Sequence, residues 1–336
     1  MAVTDLHSLR NHLQDALELE HATIPPYLCA LFSIPEGSNH EAADVIRSVV
    51  MEEMLHMTLV ANVMNAVGRH PVLARPGFVK KYPTFLPHSD DSFTVDLLPL
   101  SEKAVDTFLE IERPAKRCGP PQPDRYHTIG QFYEAIEDAF RRLTKELGPS
   151  VVFVGDPANQ VPEGRWYYGG GGAVVPVTNL DSALRALEEV VDQGEGLDHT
   201  LWDGDPGREL AHYFRFAELR AQRRYLPGDT EPSGPSGPEL PVDFSVIAPM
   251  RPNPRSEDYR AYPSIHAQMV KSNRIYTRLL AQLQKAFMGS PETLRDAVAT
   301  MYEFRYQAEA LMRIPSPLSP GTTVGPSFEF DPDALM

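Results

Sequence analysis

Residues 46–67, IRSVVMEEMLHMTLVANVMNAV, decide the fold class of this chain. Ile46, Val49, Glu53, His56, Val60, Val63 and Val67 step by three and four along one line, the seam that a bundle helix buries. Two members of that seam are a glutamate and a histidine at i, i+3, which project to the same side about one turn apart. An unpaired buried carboxylate is strongly destabilising. Something carrying positive charge must face it.

The anomaly recurs elsewhere. Leu9, Leu13, Leu17, Glu20 and Ile24 form a stripe in the first helical stretch, and Glu209, His212, Phe216 and Leu219 form one near 207–223. Leu184, Leu187 and Val191 lead to Glu195, with Glu112, in line with Val105 and Phe108, competing for the same role. One glutamate from each of two helices and Glu-x-x-His from each of two others is the donor set of a dimetal carboxylate bundle. Four carboxylates and two neutral imidazoles carry a charge that two divalent ions cancel. Oxygen-rich ligation with one imidazole per metal suits iron or manganese, and zinc can load such a site. Glu18, Glu52 and Glu188 lie off the seams and are expected in solvent, as are His7, His12 and His21; Glu134 falls beside its stripe.

Helical patterns are expected at Thr4–Leu31, Asn39–Val67, 101–113, 128–147, 180–195, 207–223, 262–288 and 291–313. Gly68 and Pro71 end the second. The predicted fold is an all-α, ferritin-like four-helix bundle with added C-terminal helices. It divides into a metal-binding bundle at 1–225, a Pro/Gly-rich linker at 226–261, and C-terminal helices at 262–336 packing on the same domain. Insertions at 70–100 and 148–178 are irregular or hold short strands. The GGGG at 169–172 lacks the lysine and strand-to-helix setting of a phosphate loop and reads as a flap. Trp166 and its neighbouring tyrosines line a pocket mouth or pack in the core.

With 42% apolar and 23% charged residues over 336, the chain has a globular composition, and its net charge of -15 disfavours nucleic acid and anionic membranes. Cys29 and Cys118 are too few for a disulfide framework or a cysteine-rich zinc site. The start, MAVTDLHSLRNHLQ, shows no secretory pattern, so a cytoplasmic location is expected.

LELEHATIPPYLCALFSI, EEMLHMTLVANVMNAVG, FLEIERP, TIGQFYEAI, DQGEG, ELAHYFRFAEL and the closing GTTVGPSFEF together resemble the bacterial ferritin-like family named for the iminophenyl-pyruvate dimer synthase domain. That family takes its name from large enzymes of bisindole biosynthesis, of the violacein and rebeccamycin type, and includes stand-alone relatives. The resemblance implies metal ligation by Glu20, Glu53, His56 and His212, with Glu195 and Glu209. It also implies a non-haem dimetal oxidase or oxygenase working on dioxygen and a small aromatic or amino-acid-derived metabolite. Its pocket is expected among aromatics near Glu20 and Glu195, with the helices at 128–147, 262–288 and 291–313 outside the metal seam. An iron-oxidising storage protein and a non-catalytic scaffold are the alternatives, and a homo-oligomer is left open.

Overall fold

Asp5 starts the first helix, α1 (Leu6–Phe32), in the computed structural model. Its carboxylate accepts from the Ser8 backbone N–H while the Ser8 hydroxyl accepts from the Asp5 N–H, satisfying donors that the first turn would leave orphaned. The helix continues through Pro25 and Pro26, which cannot donate to the carbonyls of His21 and Ala22. Tyr82 meets part of that loss, its hydroxyl donating to the Ala22 carbonyl at 2.7 Å.

The structure describes residues 3–89, 91–114, 126–164, 171–196, 200–202 and 209–336. After α1 come α2 (His40–Ala66), α3 (Glu102–Ile111), α4 (Ile129–Leu147), the single turn α5 (Pro149–Val152), α6 (Leu180–Glu195), α7 (His212–Ala221), α8 (Pro263–Ala286) and α9 (Leu294–Leu311). Polar side chains cap α3, α4 and α6 at Ser101, Thr128 and Asn179. The helix bounds match the periodicity closely except at α7, which opens at His212 and not near 207. Among the described residues, strand pairing is limited to isolated bridges; the expected short strands of 148–178 are replaced in part by α5 and a 3-10 turn at Pro157–Asn159.

α1 and α2 pack against each other at the centre. Each is buried on nearly every side, the condition of a helix that is not amphipathic but interior. Contacts of α1 with α3 and α4, and of α2 with α6 and α7, enclose one side. The α8–α9 pair covers a different face, where the Tyr276 hydroxyl meets His21. The C-terminal segment returns across this pair, seating Phe328 between Tyr276 and Phe304. Residues 226–239 are mostly exposed, whereas Leu240, Val242 and Met250 anchor the following stretch in the core. No helix among the described residues is long and apolar enough to cross a membrane.

The central position of α1 and α2 corrects several surface expectations. Glu18 is buried and held by Arg75 and Lys80. His12 and His21 are buried, and so is Glu52. His7, Glu134 and Glu188 are exposed, as the stripes imply. Cys118, Trp166, Tyr167, Tyr168, Gly169 and Gly170 lie outside the described residues.

Candidate metal centre

Glu20 in α1 and Glu53 with His56 in α2 meet midway along the two helices, each about 2% exposed. Their donor atoms converge into one group able to hold a cation. A second group joins Glu53 to Glu112, the residue that closes α3, and to His212, the first residue of α7. Glu53 belongs to both.

The distances show how one carboxylate serves two sides. Glu53 Oε1 lies 3.0 Å from His212 Nδ1, and its Oε2 lies 3.8 Å from His56 Nδ1. Glu20 Oε2 is 3.2 Å from His56 Nδ1, and Glu112 Oε2 is 3.6 Å from His212 Nδ1. Both imidazoles thus present Nδ1 to a carboxylate pair. Their rings stack at 5.4 Å between centroids.

Other residues fix these groups from behind. Tyr133 donates to Glu20 Oε1 and Tyr27 to Glu112 Oε1, each at 2.5 Å, so one oxygen of each carboxylate is occupied and the other faces an imidazole. Thr23 donates to Glu53 Oε2 at 2.8 Å. His56 Nε2 meets the Gln193 side-chain oxygen at 2.9 Å, and His212 Nε2 meets Glu52 Oε2 at 2.9 Å. Such contacts orient a ring and leave its other nitrogen free to ligate. Glu52 is held in turn by Arg215 and by the backbone N–H of Gly171, each at 3.0 Å. Gly172 follows at φ +78°, where a β-carbon would strike Gln193 and Leu55. The described part of the glycine run therefore packs on the supports of both histidines.

The electrostatics follow from this crowding. Burial and the adjacent Glu112 charge push the Glu53 carboxyl up to about 7. Burial pulls both histidines down, but hydrogen bonds and charge from the surrounding carboxylates outweigh it, raising His56 and, much further, His212. Glu52 resists burial because His212 and Arg215 face it, and its carboxyl is held down at about 2. Tyr27 and Tyr133 are raised far above the phenol range, first by burial and then by the carboxylates, so both remain hydroxyl donors.

The donor set fits metal. Three buried glutamates and two imidazoles converge, and His212 Nδ1 makes no hydrogen bond of acceptable geometry despite its buried carboxylate neighbours. A divalent cation would satisfy it.

The structure gathers Glu20, Glu53, His56 and His212 from the predicted set and brings in Glu112 as the further carboxylate. Glu195 borders the same small cavity, but its Oε1 accepts from the Gly130 N–H at 2.8 Å in the first turn of α4. A β-carbon at 130 would collide with that carboxylate, so the glycine is what admits it. Glu209 lies ahead of α7, half-exposed, with Arg215 at 3.1 Å. Because the helix has not begun at 209, the Glu-x-x-His spacing no longer places both side chains on one face. α4 joins the metal seam through Tyr133 instead of packing outside it. The cavity beside the glutamates holds only about 10 Å³, not the aromatic-lined pocket anticipated there.

Sequence reasoning passed over Glu52, Gln193, Arg215, Tyr27 and Tyr133. A signal existed for Glu52: with Val45, Leu55 and Leu59 it forms a second apolar line on α2. Tyr133 sits within the buried face of α4, beside Phe132 and Ile136.

Comparison with known proteins matches the helical fold. A family model described as Ferritin-like matches residues 13–221. Dichlorochromopyrrolate synthase from Lentzea aerocolonigenes is 28% identical over 384 aligned residues that take in 95% of this chain. The chain spans about a third of that protein's length, 35%. The crystal structure of a ferritin-like protein from Caulobacter vibrioides matches with a TM-score of 0.66 at 22% identity, covering 98% of this chain and 100% of that one, a likeness of fold.

Proposed function

Because the chain belongs to the ferritin-like family, we propose that it is a non-haem dimetal oxidase or oxygenase acting on a small aromatic or amino-acid-derived metabolite. Glu20, Glu53 and His56 would hold one divalent ion and Glu53, Glu112 and His212 the other, with iron as the native metal. The observation that carries this reading is the pair of buried donor groups sharing Glu53. The substrate class follows the dichlorochromopyrrolate named for the relative.

Two reduced ions in such a site supply electrons for chemistry on dioxygen. The protein's own part is to prepare the place. Gln193 and Glu52 fix the imidazoles with Nδ1 inward. Tyr27, Tyr133 and Thr23 hold three carboxylate oxygens, limiting how far each glutamate can swing. Burial of all five donor residues excludes bulk water and strengthens every charge interaction among them.

A specific observation favours a second reading, an iron-handling protein: the roughly 10 Å³ cavity at the carboxylates is scarcely room for one water. The two readings part in one experiment. Protein loaded with ferrous iron is exposed to dioxygen with and without candidate aromatic metabolites. Metabolite-dependent oxygen consumption, a new product and iron limited to two equivalents support the enzyme. Iron accumulating far beyond two equivalents, indifferent to every metabolite, overturns it.

A further inference from the structure

α1 and α2 separate two unlike spaces. On one side lie the glutamates; on another, a cavity of about 450 Å³ opens between α1, α2, α8 and α9. Glu20 and His21 are chain neighbours, yet the first faces the carboxylates and the second lines this cavity. Its volume falls in the range of about 300–1,000 Å³ typical of small-molecule sites.

The walls specify a chemistry. Met51, Met54 and Met57 from α2 and Met301 from α9 line it. Thioethers are polarisable, adapt to irregular shapes and favour contact with aromatic rings. Both arginines at its rim are already paired, Arg305 with Glu309 at 2.7 Å and Arg47 with Asp44, and Glu36 is exposed to solvent at the mouth. A charged occupant gains little from them.

One polar feature is left over. His21 is 2% exposed and packs on Phe78 and Tyr276, not on a carboxylate. Its Nε2 lies 2.5 Å from the Tyr276 hydroxyl. With that hydroxyl donating to Nε2, the imidazole proton sits on Nδ1, and Nδ1 is buried without a hydrogen-bond partner. Leaving such a donor unmatched is unfavourable, and an acceptor carried by an occupant would relieve it.

We infer that this cavity is a second ligand site, separate from the glutamate cluster, for a neutral, ring-bearing apolar molecule with one oxygen acceptor directed at His21 Nδ1. The site stands whether or not the metal centre is catalytic.

The test uses 6-propionyl-2-(dimethylamino)naphthalene, a neutral two-ring ketone whose emission reports polarity, added to the metal-loaded protein. Blue-shifted emission saturating at one equivalent is expected. Leu280→Trp and Met54→Trp, which fill the cavity, should each abolish it with metal content unchanged. The analogue with the ketone reduced to methylene should bind roughly five- to tenfold more weakly, a difference that disappears in His21→Phe. A measurement needing no substitution in the wall follows the 13C-methyl signals of the methionines. Met51, Met54, Met57 and Met301 should shift on addition of the ketone while Met250 and Met312 stay fixed. Binding that fails to saturate at one equivalent, survives both tryptophan variants, or moves other methionines overturns the assignment. Metal content and oxygen consumption are read separately, so failure here is distinguishable from failure of the oxidase reading.

Discussion

Glu52→Gln tests the centre through a residue that is not itself among the converging donors. The side chain keeps its shape but loses its charge, and with the carboxyl held at about 2 that charge is present at every working pH. Arg215, 6% exposed, loses its buried carboxylate, and His212 Nε2 loses a charged partner at 2.9 Å. Removing one member of a buried ion pair costs about 3–5 kcal/mol. Arg215 retains Glu209 at 3.1 Å and the Ser48 hydroxyl at 3.0 Å, and the glutamine oxygen can still accept. These contacts lower the expected loss to about 2–3 kcal/mol. For a 336-residue chain the unfolding entropy is about 0.7 kcal/mol/K, so the metal-free melting temperature should fall by about 3–4 °C. Metal binding should respond unequally. The group containing His212 should weaken about 10–100-fold, the usual effect of losing an outer hydrogen-bond partner. The group of Glu20, Glu53 and His56, supported by Gln193, should change little. Calorimetric metal titration against a competing chelator separates the two equivalents. A variant that binds both equivalents like the parent and melts within 1 °C of it (below about 0.7 kcal/mol) would refute the role given to Glu52.

Two further substitutions distinguish the donor set of the structure from that of the spacing alone. Glu112→Gln should reduce bound metal from two equivalents to one, whereas Glu209→Gln should leave two, as metal analysis after desalting would show; the reverse result would favour the spacing. Chelation should lower the melting temperature, because a ligand bound only by the folded state stabilises it. Glu53→Gln should partly recover the metal-free loss, since burial and Glu112 both disfavour its charge, while losing both ions through the shared position. A melting temperature indifferent to both chelation and this variant would count against a metal centre.

The sequence by itself determined the helices and the anomaly within them. Periodicity marked Glu20, Glu53 and His56 because each interrupts an apolar line on a long helix, where i, i+3 and i+4 geometry is dependable. That rule has two conditions, and the tertiary structure shows where each fails. It needs a helix to exist at the residue concerned: α7 begins at His212, so Glu209 turns toward Arg215, and the further carboxylate comes from Glu112 at the end of α3. It also assumes one buried face and one wet face. α1 and α2 are enclosed by α3, α4, α6 and α7 on one side and α8 and α9 on another, and Arg75 and Lys80 of the segment after α2 cover Glu18, so Glu18, Glu52, His12 and His21 are buried although they lie off the seams. Glu112, Gln193 and Tyr133 reach the centre through contacts across 85 to 137 positions of sequence. Helical periodicity reports which neighbours along one helix share a face; only the packing of several helices decides which face meets another side chain and which meets water.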